Sequence, residues 1–64
     1  MSETSVYRTE SGTVFRVSQD KDGHLSVQVL KTTLWESAPI GMAGLRVSKT
    51  TTRLTERQVQ ALPR

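Results

Sequence analysis

Apolar and polar residues alternate along two stretches of the chain, Thr13 to Gln19 and His24 to Lys31, and a period of two marks strands with one face turned to a core. Between them, Lys21-Asp22-Gly23 predicts a three-residue hairpin loop, a type I turn closed by a left-handed glycine in a G1 bulge. Pairing Asp20 with His24 sets Phe15 across from Val29 and Val17 across from Val27. A loop longer by one would oppose Phe15 with Gln28 and Val17 with Ser26, dividing the apolar residues between two faces. Upstream, Glu10-Ser11-Gly12 repeats the triplet and sets Tyr7 opposite Phe15 as a cross-strand aromatic pair. The pattern therefore predicts a three-stranded meander with Tyr7, Phe15, Val17, Leu25, Val27 and Val29 on its buried face. The reverse face holds Val6, Arg8, Val14, Arg16, Ser18, Ser26, Gln28 and Leu30. Val14 and Leu30 stand opposite each other there, so this mixed face also needs a cover.

Beyond the meander, the third strand is expected to run on through Thr32 and Thr33 to Trp35, because β-branched residues favour extended backbone. Ala38 to Gly44 holds a proline and two glycines and reads as a loop. Leu45 to Lys49 alternates again and reads as a fourth strand with Leu45 and Val47 inward, and Thr50-Thr51-Thr52 suits a strand or an extended connection. Thr55-Glu56-Arg57-Gln58 matches a capping box, with Leu54 and Val59 at the staple positions, so a helix starts at Glu56. Pro63 keeps it short, and a helix of one or two turns is not stable alone in water. Val59 and Leu62 must dock on the sheet, and the expected place is the Tyr7 and Phe15 face. The fold class is α+β, mainly β: a small antiparallel meander of about four strands with a short C-terminal α-helix, in one domain over residues 1–64.

Composition narrows what such a domain can be. With 34% hydrophobic residues in 64, the core is lean and stability modest. The absence of cysteine excludes a disulfide scaffold, a thiolate zinc site and a cysteine nucleophile. No apolar run approaches the roughly 18 residues of a membrane span, and Met1 to Thr9 is too polar for a signal peptide, so a cytoplasmic protein is expected. The net charge of +3 is unevenly spread. Up to Gly44 acids outnumber bases by one, whereas Arg46, Lys49, Arg53, Arg57 and Arg64 face Glu56 alone in the last third. Arg46, Lys49, Arg53 and Arg57 are accordingly the candidate anion- or partner-binding residues, with the first-turn amides near Thr55 as a further anion site.

Catalytic chemistry has little to work with. The single histidine, His24, follows the hairpin glycine and reads as a solvated turn residue. Asp20-Lys21-Asp22-Gly23 has the start of a calcium loop, but the third ligand is missing and Lys31 stands where the bidentate glutamate belongs. Gly41-Met42-Ala43-Gly44 has the spacing of a KH clamp loop without its basic residues or its flanking helices. No phosphate loop of the Walker type is present. The expectation is a protein that is not an enzyme and takes no metal or cofactor. Trp35, Ile40 and Met42 form the candidate apolar interface. The function expected is a non-catalytic binding protein that docks on a larger macromolecular complex, in the manner of a phage or bacterial accessory inhibitor or regulator. The alternative is a nucleic-acid-binding protein using its basic C-terminal surface, against which three aromatic residues offer little stacking. A protein complex is the first partner expected and nucleic acid the second, with no membrane. An edge strand and a lean core also invite a homodimer.

Overall fold

Both glycine hairpins close with the expected geometry in the computed structural model, which describes residues 3–62. β1 (Glu3–Arg8), β2 (Val14–Gln19) and β3 (Leu25–Lys31) form the antiparallel meander. Gly12 and Gly23 hold φ values of 91° and 86°, left-handed angles that glycine adopts without a Cβ clash. Their N–H groups donate to the carbonyls of Thr9 and Asp20, each at 3.0 Å. The register pairs Tyr7 with Phe15, Phe15 with Val29 and Val17 with Val27. Cross-strand apolar matching therefore set it as expected.

Downstream the chain departs from its sequence pattern. Instead of continuing to Trp35, it reverses at Thr32-Thr33 and returns as β4 (Leu34–Ala38), pairing Lys31 with Leu34 and Leu30 with Trp35. Thr32 turns at φ 57° with none of the residues that usually signal a reversal, and two threonines read locally as strand. The expected fourth strand, Leu45 to Lys49, is absent: Ile40–Val47 is a 3₁₀ segment, which also takes up most of the expected loop from Ala38 to Gly44. Leu45 and Val47, expected inward, are 41% and 88% exposed. Ala43 decides the matter, because its small side chain seats the 3₁₀ segment directly on Phe15, Val17 and Val27, with Met42 packed beside it and Ile40, Leu45 and Val47 left outside. The fifth strand, β5 (Thr52–Arg53), is only two residues long and pairs with β1, giving the sheet order β4-β3-β2-β1-β5.

The capping box forms as read. Gln58 N–H donates to Thr55 Oγ1 at 3.3 Å, Thr55 N–H donates to Gln58 Oε1 at 2.8 Å, and α1 (Glu56–Gln60) follows. Its docking face corrects the expectation. Leu54, Val59 and Leu62 pack with Val6, Val14, Leu30 and Trp35, on the opposite side of the sheet from Tyr7 and Phe15. The cause lies in β5: Leu54 N–H donates to Val6 C=O at 2.9 Å, and strand alternation then delivers the Leu54 side chain to the Val6 face. The other face is already closed by Ala43. The sheet thus has a cover on each side, and no helix among the described residues is long and apolar enough to cross a membrane.

Candidate binding cleft

Register places a polar group in the middle of the α1 face. Arg16 on β2 lies between Val6 on β1 and Gln28 on β3, and Gln28 pairs in turn with Ser37 on β4, next to Trp35. Arg16 Nε donates to Gln28 Oε1 at 2.7 Å, and the guanidinium carbon sits 4.2 Å from the centroid of the Trp35 ring. A charge-assisted hydrogen bond on one atom and an aromatic face below hold the group in one orientation. Among the described residues no hydrogen bond engages its terminal nitrogens, so their donors stay free.

α1 is too short to cover this face. Between it and the Arg16–Trp35 pair lies a half-open cleft of about 580 Å³. That volume is within the range of roughly 300–1,000 Å³ typical of ligand sites. Its apolar surface comes from Val6, Trp35, Leu54, Val59 and Leu62, and the charged residues at its border are Arg16, Arg53 and Glu56. Gln60, Ser5 and Thr4 complete the lining, the Thr4 hydroxyl bonded to that of Ser18 at 2.9 Å.

The residues singled out in the sequence are not brought together as one surface. Of the basic set, Arg53 borders the cleft from the β5 edge but pairs with Tyr7, so its side chain starts on the other face, where Arg46 donates Nε–H to Ala43 C=O at 2.9 Å and borders a small cavity with Tyr7 and Leu25. Lys49 lies exposed in the turn before β5, and Arg57 is exposed on α1. None of the four meets a carboxylate at ion-pair distance among the described residues. The expected anion site at the start of α1 is weakened by the capping box, which already uses the Gln58 amide. Of the apolar set, Trp35 packs with the α1 cluster, Met42 with the Phe15 cluster, and Ile40 points outward at 62% exposure.

At the β2–β3 hairpin, possible ligand atoms of Asp20, Asp22 and His24 lie within 4.8 Å of one another. All three residues are exposed, and Asp20 Oδ1 accepts the amides of Asp22 and His24 at 2.9 and 3.0 Å. This is the self-bonding of an aspartate that starts a turn, with His24 Nδ1 a further 3.5 Å contact to Oδ2.

Arg16 is the site residue that sequence reasoning missed. Its signal was present, since it alternates onto the mixed face beside Val14 and opposite Gln28, but its meeting with Trp35 depends on the unmarked turn at Thr32-Thr33. Comparison with family models, with curated proteins and with solved structures finds no match for this chain.

Proposed function

We propose that the chain is a non-catalytic binding module that docks on a larger protein assembly through the cleft between α1 and the Arg16–Trp35 pair. The observation that carries this reading is Arg16 itself. A half-buried guanidinium clamped by Gln28 and Trp35, with terminal donors unspent, is a recognition group whose ordering cost is met before a partner arrives. Around it, Trp35, Val59 and Leu62 supply the apolar contact area that interface cores use. A second reading, binding of nucleic acid, draws support from the four C-terminal cations that meet no carboxylate among the described residues.

One experiment separates the two. The tagged full chain is used to capture partners from extracts of its source cells, with and without nuclease, beside the variants Arg16→Gln and Lys49→Glu/Arg57→Glu, each checked for a dispersed spectrum. Docking through the cleft requires nuclease-resistant capture that Arg16→Gln abolishes and the double variant leaves intact. Capture that disappears with nuclease, with rising salt and in the double variant favours nucleic acid instead. Nuclease-resistant capture indifferent to Arg16→Gln removes the cleft from the reading.

A further inference from the structure

We infer that the segment received by the cleft is a peptide in which an apolar side chain stands next to a side-chain carboxylate; this rests on the docking reading above and names its ligand chemistry. Arg16 presents its unspent donors inside the cleft, so the cleft calls for an acceptor there. A wholly apolar ligand would cover Arg16 and leave its terminal donors without water or acceptor, at a cost in desolvation. A bare phosphate or a nucleic-acid backbone would meet the donors but waste the Val6, Leu54 and Val59 surface, and it would bring dense negative charge to Glu56. A carboxylate fits the planar fork of a guanidinium with two parallel hydrogen bonds, and the neighbouring side chain fills the apolar part. A peptide suits the shape better than a free fatty acid, because the cleft is half-open and Gln60 offers hydrogen-bonding groups to a passing backbone.

The test titrates the isotope-labelled full chain with blocked synthetic peptides, reading the Trp35 indole and Arg16 Nε–H resonances. One peptide carries a Leu-Asp-Leu-Glu core between Gly-Ser flanks, a second replaces its acids by Asn and Gln, and a third has the neutral core with a free C-terminal carboxylate. Octanoate serves as the free amphiphile. The acidic peptide is expected to move both resonances saturably and to bind about tenfold tighter than the neutral one, weakening as salt rises. Arg16→Lys, which keeps the charge and loses the planar fork, should lower that affinity severalfold while keeping a dispersed spectrum. Equal response to acidic and neutral peptides, no response of either resonance, or binding of octanoate or the free C-terminus as tight as that of the acidic peptide overturns the assignment. If the peptides fail while partner capture still depends on Arg16, the carboxylate chemistry alone falls. If both fail, the docking reading falls with it.

Discussion

Phe15 is fully buried beneath Ala43 on one side of the sheet, while on the other side Trp35 stays half-buried beside a cleft of about 580 Å³. The same strands build both faces, so the difference comes from what each face carries and what covers it. On the first face, Tyr7 and Phe15 stack with ring centroids 5.3 Å apart, and Val17 and Val27 leave no polar side chain to satisfy beneath the 3₁₀ segment. A compact cover with alanine at its centre closes it. The second face has Arg16 among its apolar residues and a five-residue helix for a lid, anchored by Leu54 and Val59. With so few large apolar residues the chain fills one face and leaves the other partly open. The first face is closed and holds the fold together, and the second stays partly open.

The largest expected effect tests that division. Phe15→Ala should cost about 3–5 kcal/mol, on the scale of the whole stability of so small a domain, and should abolish the dispersed spectrum. Leu54→Ala, on the second face, should cost only about 2 kcal/mol, because the adjoining cleft lets water and neighbouring side chains adjust to the missing atoms. Chemical denaturation measures both. A Leu54→Ala variant as damaged as Phe15→Ala would mean that the second face supports the fold equally.

The contrast between the faces was only half legible in the sequence. Strand alternation named the residues of each face, and glycine chemistry named two turns, because both are local and leave a pattern of residue types. The capping box at Thr55 was legible for the same reason. The course of the chain after Lys31 was not. Thr32-Thr33 turns without a turn residue, and the five alternating residues from Leu45 yield to a packing event that pattern does not encode, the fit of Ala43 onto Phe15. The sequence grouped Trp35 with Ile40 and Met42, which the structure sets apart from it. Its neighbours Arg16 and Gln28 come from two other strands, and only the completed sheet brings them together.

A smaller effect sharpens the comparison by touching both faces at once. Gly23 sets the β2–β3 register on which each face depends, and its φ of 86° strains any β-branched residue placed there. Gly23→Val should cost about 1–3 kcal/mol. Gly44, in the cover of the first face alone, has ordinary backbone angles and no heavy atom within 4 Å of the position a Cβ would take. Gly44→Val should therefore lie within about 0.5 kcal/mol of the parent. Equal denaturation midpoints for the two valine variants would show that Gly23 is not held in the left-handed turn.

The smallest effect has the opposite sign and acts on the second face only. Thr32 sits at φ 57°, a region that costs a residue with a Cβ roughly 1–2 kcal/mol, and its branched Cβ makes the crowding worse. Glycine removes that cost but gives back part of the gain, because the unfolded chain becomes more flexible by about 0.5–1 kcal/mol. Thr32→Gly should consequently stabilise the protein by about 0.5–1 kcal/mol, raising its melting temperature by a few degrees. The gain should also be local. β4 carries Trp35 as one wall of the cleft, and it is an edge strand whose pairing with β3 begins at this turn. Relief at Thr32 should slow hydrogen exchange of the β4 amides bonded to β3 more than that of the β1–β2 pair, where the stacked Tyr7 and Phe15 already protect the ladder. If exchange slows equally everywhere, the turn is coupled to the whole sheet and the two faces share one stability. If Thr32→Gly destabilises, the turn holds no strain, and the openness of the second face must then be traced to its short helical lid alone.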